Sequence, residues 1–332
     1  MILLNRHRWM LISLALVLIV IGIVHLFSGP ISLRFDDFSN ALFNYDSSNV
    51  MHSVVREIRI PRMCMAIISG AGLSVAGLLM QTLFRNPLAG PYVLGINSGA
   101  SLFVAFSLMT GIPFLTSDIG LISHALLGAF LFGLLILLFS KIARSQVTLL
   151  LTGIMLGSFT SAIISLLESM SDAQELKQFT MWALGSLQRT NFDQLPVIVL
   201  VFLLGFIGAL LLIRPLNLLV LGEKQAELLG INFNRVRLLI ILVTAVLTGL
   251  ITAYCGPIAF VGLAVPNLVR MLMKTQHHGI LLLASALGGS LFVLLSDLCI
   301  QLMELHWVIP INVFTSIVGA PIVVVLLLKR VR

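Results

Sequence analysis

The chain has 332 residues, of which 59% are hydrophobic and 10% charged, and its formal net charge is +7. A soluble domain runs at about 45–50% apolar and about 25% charged, and no water-soluble fold of this length hides such an excess. The composition therefore excludes a soluble catalytic unit and points to an all-α integral membrane protein, a single transmembrane domain over residues 1–332. Basic residues lie in short clusters between apolar runs, so membrane topology rather than nucleic acid accounts for the charge.

A helix needs about 20 mostly apolar residues to cross a bilayer. In chain order the expected spans are 9–27, 63–84, 92–112, 119–140, 147–168, 195–213, 236–255, 258–273, 279–303 and 308–328. The first is read as an uncleaved span, because its apolar run is too long for a signal peptide and no small-residue cleavage site follows. The eighth is short and contains Pro266 and Arg270, and charge decides it. With ten spans and both ends cytoplasmic, 14 of the 20 Lys and Arg residues lie inside, and Arg34, Arg56, Arg59, Arg62, Lys177 and Arg189 lie outside. If the eighth segment does not cross, five move outside and the positive-inside bias is lost.

The outer stretch VVREIRIPR sets Arg56, Arg59 and Arg62 at the membrane edge, where they either snorkel or receive an acidic partner. Within the second span, GAGLSVAG lacks the Lys-Ser/Thr ending of a phosphate loop; Gly70, Ser74 and Gly77 are read as small residues that admit a neighbouring helix. No other stretch fits a nucleotide loop, so the chain is expected to carry no cofactor, no metal and no ATPase activity of its own. RNPLAGPYVLGINSGAS, residues 85–101, follows: Arg85 marks the inner surface, Asn86–Pro87 ends the helix and Gly90–Pro91 makes the turn. In the fifth span Met155, Ser158, Ser161, Ser165 and Glu168 share one helix face. Either that face lines a pathway, or its serines bond their own i−4 carbonyls and allow close packing. Thr244, Thr248 and Thr252 in the seventh span are read as packing residues.

On the inner side LGEKQAELLGIN, Leu221 to Asn232, reads as a short amphipathic helix. Glu223, Lys224, Gln225 and Glu227 form its polar side, Ala226, Leu228 and Leu229 lie opposite, and Gly222 and Gly230 close its ends. It lies on the membrane or docks into a groove of another protein. Asp297 is the one acidic residue well inside a span; with no second buried ionisable group for a relay, it is expected to hydrogen-bond two helices together.

Taken together, RIPRMCMAIISGAGLSVAGLLMQTLFRNPLAGPYVLGINSGAS, LGEKQAELLGIN, GPIAFVGLAVPNLVRML and IPINVFTSIVGAPIVVVLLLK resemble the permeases of type II ABC importers for ferric siderophores, heme and vitamin B12. The match runs from Arg59 nearly to the end; Asn267 stands where the family commonly has histidine. The resemblance implies a ten-helix subunit of the cell membrane, or of the inner membrane where there are two. It implies a dimer of this chain around a central path, two ATP-binding cassette subunits that use ATP and magnesium, an extracytoplasmic binding protein and surrounding membrane lipid. By the same resemblance, 221–232 is the ATPase-coupling helix and Arg59 and Arg62 meet the binding protein, Arg56 being added from spacing. Asn86, Leu88, Ser145 and Gln146 narrow the path at its inner end, and the fifth-span face lines it. An ion-driven secondary transporter is the alternative; it calls for paired intramembrane carboxylates or broken helices in two related halves.

Overall fold

In a bilayer every backbone polar group must be satisfied within the protein, and in the computed structural model the described residues meet this with helices. Those residues are 2–29, 31, 33–46, 48–109, 118–143, 145–303 and 309–331. The first span is α1 (Ile2–Phe27), followed by short helices α2 (Phe35–Phe43) and α3 (Val50–Ser53). A π-helical turn, Val54–Arg59, joins α3 to α4 (Ile60–Leu83), and a 3-10 turn, Pro91–Leu94, precedes α5 (Ile96–Met109). Next come α6 (Asp118–Ile142), α7 (Gln146–Met170) and the amphipathic α8 (Ala173–Ala183). After these follow α9 (Leu195–Leu211), α10 (Ile213–Leu219), α11 (Glu223–Leu228) and α12 (Phe233–Cys255). The chain finishes with α13 (Val261–Met273), α14 (His278–Met303) and α15 (Ile311–Val331).

Among the described residues seven helices are long and apolar enough to cross a membrane, and three shorter apolar ones, Ile96–Met109, Val261–Met273 and Ile311–Val325, accompany them. Each coincides with one of the expected spans, the proline-containing eighth included. The chain is an all-α, multi-pass membrane protein.

The bundle is built around α4. In the most apolar windows, 83% of the α4 segment and 72% of α12 are buried, against 17% for α1 and α7. Small residues explain this placement. A Cβ on Gly77 would lie 1.7 Å from the Gly262 carbonyl oxygen of α13, and one on Gly70 2.1 Å from the Gly289 oxygen of α14. The helices therefore meet backbone to backbone, as the small-residue reading expects. The fully buried Thr244, Thr248 and Thr252 likewise pack α12 into the interior.

Pro266 interrupts α13 without opening it to the bilayer. Its missing N–H leaves the Gly262 carbonyl without the usual i→i−4 bond, and Gln81 Nε2 of α4 donates there at 3.4 Å and to Leu263 O at 3.2 Å. Gln81 Oε1 accepts in turn from Arg270 Nη1.

Candidate functional site

The 85–101 stretch is held from several sides. Arg85 adopts a left-handed φ of 49° and donates from Nη2 to Leu219 O at 3.2 Å, tying the turn to the end of α10. Asn86 Oδ1 accepts from Leu88 N at 2.9 Å, a side-chain turn of the kind asparagine favours. Asn267 Nδ2 donates to Pro87 O at 2.8 Å and to Leu263 O at 2.9 Å. The Tyr92 hydroxyl both donates to Ile258 O and accepts from Ile258 N. Leu88 stays 42% exposed. Replacing Asn86 by alanine should free Leu88 and change leak or transport rate while leaving assembly intact. Reconstituted flux beside size-exclusion behaviour checks this, and a loss confined to expression would reduce the stretch to a turn.

The short helix α11 lies beside that turn. Gly222, at φ 122°, starts it and Gly230, at φ 85°, closes it. Ala226 is fully buried, Gln225 and Glu227 are exposed, and Leu228 and Leu229 are 88% and 58% exposed. This corrects the expected amphipathic division, since Leu228 and Leu229 face away from the bundle and Ala226 alone of the three anchors the helix. One turn of helix cannot turn two consecutive leucines and Ala226 to the same side. Gln146 Nε2, in the first turn of α7, donates to Glu223 Oε1. Thus α11 is bonded to α7, and the α10 end just before it is bonded to the 85–101 turn.

Ser145 caps α7, its Oγ accepting from Thr148 N at 3.1 Å. Met155, Ser158, Ser161 and Ser165 are exposed and Glu168 is half-buried. Ser158 Oγ donates to Ile154 O at 3.1 Å. Leu151, Ile154, Phe159 and Leu166 are exposed as well. The serine face is therefore part of a helix left largely uncovered by its own chain, rather than a polar stripe set against a packed apolar side.

The outer arginines depart most from expectation. Arg59 is 5% exposed and donates to Leu26 O at 2.6 Å and to Ile31 O, capping the carbonyl end of α1. Arg62 is also 5% exposed, with Nε 2.8 Å from Asp297 Oδ2 and Nη2 3.0 Å from Oδ1. His25 Nε2 of α1 lies 2.7 Å from Asp297 Oδ2. Both guanidinium groups are thus engaged inside the bundle rather than displayed on an outer rim. Arg56 is half-buried, its guanidinium carbon 4.4 Å from the Tyr45 ring centroid and 4.7 Å from that of Phe192. The expectation that Asp297 lacks a buried ionisable neighbour is overturned. It joins three helices, α1, α4 and α14, and borders a cavity of about 250 Å³ that Arg62, Arg189 and Gly185 also line. His25 was missed because it lies 272 residues from Asp297; the shared depth of His25, Arg62 and Asp297 near the outer ends of their helices was the available signal.

The helical bundle, its close α4 crossings and the short α11 can be set beside known proteins. A family model described as the FecCD transport family matches residues 16–329. The chain belongs to that family. It is 35% identical over 330 residues to the hemin transport system permease protein HmuU of Yersinia pestis, covering 98% of this chain and 97% of that protein. It is 33% identical to the molybdate import system permease protein MolB of Haemophilus influenzae, covering 99% and 98%. A solved structure, an inward-facing conformation of a metal-chelate type ABC transporter, superposes with a TM-score of 0.86 at 32% identity, covering 97% of this chain and 99% of that one. The FecCD protein is thus a transport permease of the ABC importer class.

Proposed function

We propose that this permease is the membrane-spanning subunit of an ATP-driven importer, moving an iron chelate into the cell by alternating access, with a ferric siderophore ahead of heme or vitamin B12. Two copies enclose the path, two ATP-binding cassette subunits sit on the inner side, and a binding protein delivers the chelate from outside. The observation that carries the reading is α11: a helix anchored through Ala226 and Glu223 that presents Leu228 and Leu229 outward. An exposed leucine pair on an anchored helix suits a partner's apolar groove.

The bonds around α11 give the coupling a physical route. Movement of α11 reaches the first turn of α7 through Glu223–Gln146. It reaches the Asn86–Leu88 turn through α10 and the Leu219–Arg85 bond. These are the two places where the inner end of the path is read to narrow, so one displacement acts on both. The largely uncovered α7 is suited to face the path or the second copy. A wide path with Ser, Met and apolar lining suits a bulky chelate that must leave as readily as it enters.

Leu228→Asp or Glu227→Lys should raise ATP hydrolysis per chelate imported several-fold in reconstituted vesicles, while Gln146→Leu slows uptake with ATPase binding unchanged. Coupled transport at the parental ratio in the α11 variants would remove the coupling assignment. Affinity measurement of the cognate binding protein with ferric siderophores, heme and cobalamin decides the cargo.

A further inference from the structure

Helices α6 and α12 pack side by side, and two cavities follow one another along their seam. At the end nearer α11 lies a cavity of about 510 Å³, lined by Ser140, Lys141, Asn232, Asn234, Arg235 and Arg237. One helical turn further along both helices begins an apolar groove of about 400 Å³. Ala129, Gly133 and Leu137 of α6 and Leu242, Ala245 and Gly249 of α12 line it. From Leu126 to Leu137 the groove follows α6 for roughly 16 Å at 1.5 Å per residue, about one leaflet of a ~30 Å hydrocarbon core.

The geometry points to a binding site for one anionic phospholipid, with its phosphodiester headgroup in the basic cavity and an acyl chain in the groove. Arg237 is 7% exposed, and its Nη2 is held by Ser140 O and by Asn234 Oδ1 at 3.1 Å. Its Nε is a buried donor with no hydrogen-bond partner among the described residues. Lys141 and Arg235 are exposed at the same cavity, and among the described residues no side chain pairs with either. Glu223 is a carboxylate whose charge reaches Arg237, and it is engaged by Gln146. Three cations and an unspent guanidinium N–H at the end of a membrane helix match a phosphodiester. The adjoining furrow of small residues distinguishes a lipid from a free anion, because a soluble anion makes no use of it. The end concerned is the one that the distribution of basic residues places inside, where anionic lipid gives such a pocket its charge complement.

The test is native mass spectrometry of the full-length protein in detergent, titrated with palmitoyl-oleoyl phosphatidylglycerol or the matching phosphatidylcholine. The parent should retain phosphatidylglycerol preferentially. The exposed pair Lys141→Gln/Arg235→Gln should weaken that retention roughly 30-fold without changing phosphatidylcholine, and Ala245→Leu, which fills the groove, should weaken both. Unchanged phosphatidylglycerol retention in the double variant overturns the site. Displacement by glycerol phosphate at equal concentration, with Ala245→Leu without effect, would instead mark a soluble-anion site and overturn the lipid assignment. Lipid retention is read without transport, so its outcome is independent of the cargo and of the coupling scheme.

Discussion

Asp297→Ala should be among the most damaging single substitutions in this permease. The carboxylate accepts from Arg62 through both oxygens and touches His25, all within the bundle. Its removal takes the Asp297 counter-charge from a buried guanidinium, and breaking a buried pair from one side costs about 3–5 kcal/mol. For a protein of this size the expected fall in Tm is on the order of 10 °C, read by thermal unfolding of the purified protein. Replacing the group as a unit, Asp297→Leu with Arg62→Met and His25→Phe, should recover much of the loss, because apolar packing of similar volume often matches a buried ion pair. A Tm for Asp297→Ala within about 2 °C of the parent would show that the three helices are held by other contacts.

Gly77→Ala should be comparably severe through packing rather than charge. The new methyl carbon would fall 1.7 Å from the Gly262 carbonyl oxygen, so α4 and α13 must separate. That movement loosens the Gln81 bonds to the Gly262 and Leu263 carbonyls beside Pro266. Overpacking a tight core costs about 1–3 kcal/mol and sometimes more; here the backbone is the obstacle and no side chain can turn aside. Little monodisperse protein should be recovered. The control is Gly157→Ala on α7, where the methyl carbon would sit 3.4 Å from Ser98 Oγ, and its yield should match the parent. Equal yields for both variants would mean that the α4–α13 crossing tolerates a wider spacing.

Much of the architecture was legible because bilayer solvation imposes a one-dimensional signal. Apolar run length located each span, and the excess of arginine and lysine on one side retained the short eighth segment despite Pro266. The Gly70 and Gly77 crossings were legible too, since small residues three to four apart have few other uses in an apolar helix. What the sequence hid was which polar groups meet. Arg59 and Arg62 look like rim residues when their helix is read alone, because nothing local reveals that α1 ends against one and α14 supplies Asp297 to the other. The π-helical turn at Val54–Arg59 shifts the phase of these arginines relative to a regular helix. The outward turn of Leu228 and Leu229 was hidden for a related reason, since a single helical turn has too few positions to fix a buried side. The basic cavity beside Arg237 needed two helices nearly a hundred residues apart, and no motif announces it.

Coupling of inward chelate movement to ATP hydrolysis by partner subunits, as proposed above, can be measured as uptake into proteoliposomes with the ion gradient dissipated. The vesicles hold the permease and its cognate ATPase, with the binding protein and its ferric chelate outside and ATP supplied to the ATPase side. Chelate should accumulate with ATP at a rate unaffected by ionophores, and fall to background with a non-hydrolysable ATP analogue. Uptake that tracks the ion gradient and is indifferent to ATP would overturn ATP-driven import and establish the secondary transporter in its place.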